Sequence, residues 1–133
     1  MIEQVKKLLK AQLPSLQAAY IFGSWGTAAQ RPDSDLDIAV LLPRAFSCDD
    51  DHWLALQYEL ASTAKCPVDL INLREVSTVF QKEIIWKGRP LYVADPERVT
   101  EFEALVLSLY QKLNDERAGI ISRIIETGRV YAS

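Results

Sequence analysis

The chain has 133 residues, a formal net charge of −3 and 49% hydrophobic residues. This composition supports a packed core and excludes a disordered chain, and the length predicts a single domain over residues 1–133. The acidic balance argues against a general nucleic-acid-binding surface, and no apolar run is long enough to span a membrane. The N-terminal residues lack the apolar stretch of a secretory signal, and Cys48 and Cys66 match no zinc-binding spacing. We therefore expect a cytoplasmic protein that contacts neither membranes nor nucleic acid directly, with both cysteines reduced.

The N-terminal part predicts one helix followed by two short strands. Apolar residues recur at helical spacing over residues 2–13, and Pro14 marks the end of this helix. The recurring residues are Ile2, Val5, Leu8, Leu9 and Leu13. β-Branched and aromatic residues at 20–22 and an apolar run at 38–42 are typical of buried strands.

Two carboxylates open the second of these strands. Side chains at i and i+2 of a strand share a face, so Asp35 and Asp37 project together while Leu36 turns into apolar packing. Two adjacent carboxylates repel each other and raise one pKa, unless a cation lies between them. Mg²⁺ prefers oxygen ligands, so this pair predicts a metal site.

The segment after the first strand supplies the complementary half of a site. Gly23 allows the backbone to approach a ligand closely or to take an unusual turn. Ser24, which we expect at the start of a helical turn, offers a hydroxyl and an N–H to an anion. Phosphate groups on one side and metal-binding carboxylates on the other predict a site for a metal–nucleoside triphosphate. Trp25 follows, and the sequence leaves open whether it stacks on a base or packs in the core.

Further elements follow the same periodic signals. They are a helix from about 51 to 65, a strand over 67–73, a helix over 75–87 and an edge strand over 89–93. The apolar residues expected to face inward are Trp53, Leu54, Leu56, Leu60 and Ala64 in the first helix and Val76, Val79, Phe80, Ile84 and Ile85 in the second. The acidic run at 49–51 is expected to cap the first of these helices.

Asp69 is an acidic residue within an apolar strand. An ionised carboxylate buried without a partner is costly. Beside Asp35 and Asp37 it would complete a metal site. The alternative is that Asp69 lies near the strand end and pairs with Lys65 or Arg74.

A long helix is predicted from Pro96 to Thr127, about 48 Å if continuous at about 1.5 Å per residue. A domain of this size is only about 30 Å across. The helix therefore either projects or breaks near residues 114–119. A projecting end rich in isoleucine would bind a partner or a second copy of the chain.

Gly23-Ser24, ten residues and then Asp35-x-Asp37 resemble the signature of the nucleotidyltransferase superfamily related to DNA polymerase β. The surrounding run RPDSDLDIAVLL resembles the minimal nucleotidyltransferases, the MNT antitoxins usually paired with a HEPN-domain RNase toxin. The resemblance covers roughly the first hundred residues. It implies an α/β (α+β) fold with a small mixed sheet of about four strands flanked by helices and a long C-terminal helix. The catalytic core would span about 15–94 and the helical extension about 95–131.

The resemblance also implies a function and roles for the site residues. The chain would transfer AMP from ATP to a hydroxyl, typically of a tyrosine, on a partner HEPN toxin and so neutralise it. Asp35 and Asp37 would hold two Mg²⁺, Asp69 would be the third carboxylate, and Gly23 and Ser24 would hold the terminal phosphates.

Two other functions remain open at this stage. The first is transfer to a small molecule such as an aminoglycoside, against which the brevity of the chain counts. The second is an antitoxin that acts by binding alone, against which the three carboxylates count.

Overall fold

The computed structural model describes residues 1–127, which form four helices and four strands. In chain order they are α1 (Ile2–Gln12), β1 (Ala18–Phe22), β2 (Leu36–Leu41), α2 (Asp50–Ala64), β3 (Val68–Asn72), α3 (Thr78–Lys87), β4 (Arg89–Val93) and α4 (Pro96–Thr127). A mixed four-stranded sheet, flanking helices and a long last helix confirm the predicted fold class. Residues 128–131 of the expected helical extension lie outside the described residues.

The strands of the sheet lie in the order β3-β2-β1-β4. β1 is antiparallel to both β2 and β4, whereas β2 and β3 are parallel. The C-terminal end of β1 and the N-terminal ends of β2 and β3 therefore meet at one end of the sheet, around Phe22, Leu36 and Val68. We call this the motif end. The segment after β1 and the start of β2, which carry predicted site residues, therefore lie at the same end of the sheet.

Helices cover both faces of the sheet, which explains why the strands are almost continuously apolar. α1 and α2 pack on one face, and α3 and the first part of α4 pack on the other. The buried helix residues on the first face are Val5, Leu9, Leu56, Leu60 and Ala64. Those on the second face are Ile84, Val99, Phe102 and Val106. The sheet is therefore the middle of three layers.

The apolar stripes predicted for α2 and α3 are wider than the buried ones. Leu54, Val79 and Phe80 are exposed, so the prediction that they face inward is wrong. At 3.6 residues per turn, Leu54 lies about 200° around the helix from Leu56, and Val79 lies about 140° from Ile84. Phe80 is only one turn from Ile84 and lies at the margin of the buried face.

Side chains of α2 cover the outer edge of β3. The backbone N–H of Leu70 donates to Gln57 Oε1 at 2.7 Å, and Trp53 Nε1 donates to the backbone carbonyl of Leu70 at 3.0 Å. An edge strand has no neighbouring strand for these groups. α2 therefore supplies main-chain hydrogen bonds to the sheet as well as apolar packing.

Of the two alternatives for the last helix, the structure has the continuous one. α4 runs unbroken for 32 residues, about 48 Å at about 1.5 Å per residue. It is buried against the sheet as far as Val106, whereas Ile120, Ile121 and Ile125 are exposed, Ile125 by 76%. Its C-terminal half therefore projects beyond the sheet. None of the helices within residues 1–127 combines the length and the apolarity needed to cross a lipid bilayer.

Candidate functional site

Three side chains form a row across the motif end of the sheet. Asp37 on β2 pairs in register with Asp69 on β3, and Phe22 on β1 pairs in register with Asp37. Register partners point to the same face, and neighbouring strands lie about 4.8 Å apart. Asp69, Asp37 and Phe22 therefore stand side by side, in that order, on the face that α3 and α4 cover.

Asp35 joins this row from the residue just before β2. Leu36, between the two carboxylates, is fully buried among residues of the opposite face, as predicted. Asp35 therefore lies on the same side as Asp37. The structure brings all three predicted carboxylates to one end and one face of the sheet. Asp35 and Asp69 are exposed, and Asp37 is partly buried.

The three carboxylates affect one another electrostatically. Burial raises the pKa of Asp37 above its ordinary value, and the negative charges of Asp69 and then Asp35 raise it further. Within residues 1–127, no three acidic, histidine or cysteine side chains converge closely enough to form a complete metal-ligand set. The carboxylates are thus neighbours in a row rather than a closed cage, as expected for like charges that repel.

Gly23 is required by the position of Asp37. Its backbone φ is +77°, and a Cβ built there would lie 2.4 Å from Asp37 Oδ2. No side chain fits at that distance, and an L-residue rarely takes that backbone conformation. The loop after β1 therefore approaches the carboxylate row as closely as its backbone allows.

The helical turn expected to begin at Ser24 is absent from the structure, so that prediction is wrong. Residues 24–34 instead form three successive turns, closed by N–H donors of Thr27, Gln30 and Ser34. Thr27 Oγ1 donates to the carbonyl of Ser24 at 2.6 Å, a local bond that competes with helix formation. Ser24 Oγ lies 3.3 Å from Ser34 Oγ. Ser24 can therefore offer a hydroxyl and a backbone N–H to an anion, without the field of a helix.

Trp25 packs against the core on the face of α1 and α2, which decides between its two predicted environments. Its carbonyl accepts a hydrogen bond from Arg89, the first residue of β4. Arg89 is also the side chain that a Cβ at Gly26 would contact, at 2.8 Å. The sequence does not predict this hydrogen bond, because 64 residues separate Trp25 from Arg89.

An aromatic pair at the motif end was also missed by the sequence analysis. The rings of Phe22 and Phe80 meet edge to face, with centroids 5.6 Å apart and planes at 89°. Phe22 shares the face of Asp37 through the register of β1 with β2, which the spacing within either strand does not give. The position of Phe80 depends on how α3 packs, for which the sequence carries no local signal.

Of the two alternative partners given for Asp69, Arg74 is engaged elsewhere, and the described part of the chain has no ion pair between Lys65 and Asp69. Arg74 Nε donates to the carbonyl of Leu42 at 2.5 Å, and Arg74 Nη2 donates to Gln17 Oε1 at 3.3 Å. These groups lie at the end of the sheet opposite the carboxylate row. No ion pair within residues 1–127 uses Asp35, Asp37 or Asp69.

The acidic run at 49–51 caps α2, as predicted. Asp49 is the N-cap residue, and its Oδ1 accepts the backbone N–H of His52 at 2.8 Å.

Comparison with known proteins agrees with this geometry. The family described as "Polymerase beta, Nucleotidyltransferase" matches residues 3–97. The protein adenylyltransferase MntA of Shewanella oneidensis is 35% identical over 122 residues, which are 92% of this chain and 86% of MntA. A crystal structure of a toxin–antitoxin with AMP-PNP has a TM-score of 0.77 at 35% identity and covers 93% of this chain and 98% of its own. The structure of a tri-AMPylated S. oneidensis HEPN toxin in complex with MNT antitoxin has a TM-score of 0.73 at 34% identity and covers 93% and 95%.

The matched family segment contains the whole carboxylate row and the loop that approaches it. The similarity to MntA covers 92% of this chain and therefore reaches into α4. Fold, site geometry and sequence similarity therefore agree that this chain belongs to the polymerase β-like nucleotidyltransferase family.

Proposed function

We propose that this chain transfers AMP from ATP to a hydroxyl, that of a tyrosine, on a partner HEPN toxin and thereby acts as its antitoxin. The observation that carries the proposal is the register pairing of Asp37 with Asp69, beside Asp35 and against Gly23. The similarity to MntA and to the HEPN toxin complex supports the choice of AMP and of a protein acceptor.

The donor set of the site fits Mg²⁺. Asp35, Asp37 and Asp69 offer only carboxylate oxygens, and none of them is used by an ion pair within residues 1–127. Asp35 and Asp37 would hold two Mg²⁺, with Asp69 as a third ligand of one of them. When bound, such a pair of ions activates the attacking oxygen and neutralises the charge on the leaving phosphates.

The chain's own residues position the two substrates and move one proton. The hydroxyl of Ser24 and the backbone around Gly23 hold the terminal phosphates of ATP. Asp69 accepts the proton of the acceptor hydroxyl while the oxygen of that hydroxyl forms a bond to the α-phosphorus of ATP. The bond from that phosphorus to the bridging oxygen breaks, and pyrophosphate leaves with the electron pair. The products are an AMP ester of the acceptor and pyrophosphate.

The cytoplasm is the compartment that we propose for this reaction. Cys48 and Cys66 are both free thiols, which suits a reducing environment.

Intact-mass spectrometry of the toxin co-purified with this chain tests the proposed function. We expect the toxin to gain mass in whole AMP units with ATP and Mg²⁺, and to gain none when the metal is chelated. The Asp35→Asn/Asp37→Asn double variant should abolish the gain while leaving the fold intact. Asp33→Asn is the matched control, because it removes an exposed loop carboxylate two residues before the row.

Two results would contradict the proposal. Retained Mg²⁺-dependent transfer by the double variant would overturn the assignment of the carboxylates. A toxin that is neutralised equally well by the double variant, and remains unmodified, would show that binding alone is the mechanism.

A further inference from the structure

The carboxylate row continues into an aromatic surface. Phe22 stands next to Asp37 in the register of β1 and β2, on the same face of the sheet. Phe80 of α3 meets Phe22 edge to face. Phe80 is 41% exposed although it is one of the largest apolar side chains of α3. An exposed ring held against a second ring, beside three carboxylates, is an apolar surface with access to the site.

The order of the row assigns its two sides to different substrates. Asp69, which accepts the proton of the acceptor hydroxyl in the proposed reaction, is on one side of Asp37. Phe22 is on the other side and is followed directly by Gly23 and Ser24, which hold the terminal phosphates. The acceptor therefore approaches from the β3 side, and the nucleotide lies on the β1 side, against Phe22.

We propose that the aromatic pair Phe22–Phe80 binds the adenine base of ATP; this inference rests on the proposed function. A planar base gains stacking and apolar contact on an aromatic surface, and such contacts do not require hydrogen-bond readout. One nucleotide then contacts the aromatic pair with its base and the adjacent loop with its phosphates. The exposed face of Phe80 is the part of the pair that the base covers.

Two other aromatic side chains on nearby elements are unsuited to this role. Trp25 packs against the core on the opposite face of the sheet. Trp86 is also on α3, but Lys82 Nζ lies over its ring, 4.5 Å from the centroid. The same Nζ lies 4.8 Å from the ring centroid of Tyr110, a residue of α4. Trp86 therefore lies on the side of α3 that is next to α4. Trp86, 62% exposed, is therefore a suitable control residue.

The test compares ATP with inorganic tripolyphosphate, which has phosphates and no base. Calorimetry with Mg²⁺ measures the affinity of each ligand for the wild type and for Phe80→Ala, Phe80→Leu, Phe80→Tyr and Trp86→Ala. We expect Phe80→Ala and Phe80→Leu to weaken ATP binding by about 5- to 140-fold, with tripolyphosphate binding unchanged. Phe80→Tyr keeps the ring and should bind ATP as the wild type does, and Trp86→Ala should change neither affinity. Phe80→Leu preserves most of the apolar volume and so remains informative if the alanine variant folds poorly.

Three outcomes would overturn the inference. They are unchanged ATP affinity in Phe80→Leu, equal weakening of both ligands, and an effect confined to the KM for the protein acceptor. A wild-type chain that binds neither ligand would instead overturn the proposed function itself, so the two failures are distinguishable.

Discussion

Gly23→Ala adds one methyl group where the loop after β1 meets the carboxylate row. The backbone φ of +77° at this residue costs an L-residue about 1–2 kcal/mol. Alanine also restricts the unfolded chain, which offsets about 0.4–1 kcal/mol of this cost. We expect a net loss of about 1 kcal/mol in the free energy of unfolding, seen as a fall in Tm of roughly 3–5 °C for a chain of this size.

The effect of Gly23→Ala on catalysis should be much larger than its effect on stability. The new Cβ would lie 2.4 Å from Asp37 Oδ2, whereas ordinary van der Waals contact begins at 3.4 Å, so the carboxylate must retreat by about 1 Å. A misplacement of about 1 Å in a reacting geometry costs on the order of 100-fold in rate. We therefore expect AMP transfer to fall about 100-fold in a protein that remains folded at the assay temperature.

Gly26→Ala is the matched control for this prediction. Its φ of +75° imposes the same backbone cost, but its Cβ would meet Arg89 Nη1, the end of a flexible side chain. Steady-state kcat/KM for AMP transfer and the thermal unfolding midpoint are measured for both variants in parallel. Equal rate losses in the two variants would refute the close-approach argument, as would a Gly23→Ala variant with the wild-type rate.

Three further predictions concern Ser24, Tyr20 and the projecting half of α4. Ser24→Ala should lower kcat/KM, because it raises the activation free energy by about 1.5–3 kcal/mol, the contribution of a hydrogen bond to a charged group. An unchanged rate and an unchanged ATP affinity would show that Ser24 has only a structural role in the loop. Burial, helped by the nearby charge of Glu103, raises the pKa of Tyr20 above its ordinary value, so the native state retains a proton that the unfolded state loses above about pH 10. The wild type should then lose up to about 1.4 kcal/mol of unfolding free energy per pH unit above about pH 10, and Tyr20→Phe should lack this loss; parallel slopes in urea titrations would contradict the assignment. Glutamate at Ile121 and Ile125 should weaken modification of the toxin without changing ATP affinity, and unimpaired modification would show that the projecting half of α4 does not bind the toxin.

Local periodicity predicts the parts of this site that are set within one strand. The period of two places Asp35 and Asp37 on one face and buries Leu36, whatever the rest of the fold does. The nearness of Asp69 depends on the parallel pairing of β2 with β3, and only the family resemblance implied that Asp69 joins the other two carboxylates. The expected cost of a buried charge does not apply, because Asp69 is exposed in the structure. The inward position expected for Phe80 is wrong, because its position depends on the rotation of α3 against the sheet.

Two further outcomes, in the loop after β1 and in the last helix, also have physical causes. A helical turn is expected from Ser24 onward, but Gly26 at positive φ and the hydroxyl of Thr27 favour turns instead. Helical periodicity over Pro96–Thr127 could not choose between a straight and a broken helix. That choice depends on whether the isoleucines near its end are left in solvent, which is a property of the fold and of its partners rather than of the spacing.

The hydrogen bonds of Trp53 and Gln57 to Leu70 have a consequence for aggregation. An incoming strand adds to a sheet by pairing with main-chain groups along an open edge, and such growth leads toward cross-β fibrils. At the middle residue of β3 both of those groups are already bonded to side chains of α2. At the other edge, β4 contains Pro90, which has no N–H to offer. Neither edge of the sheet is therefore a continuous template, so strand addition at either edge is disfavoured even though the strands are almost entirely apolar.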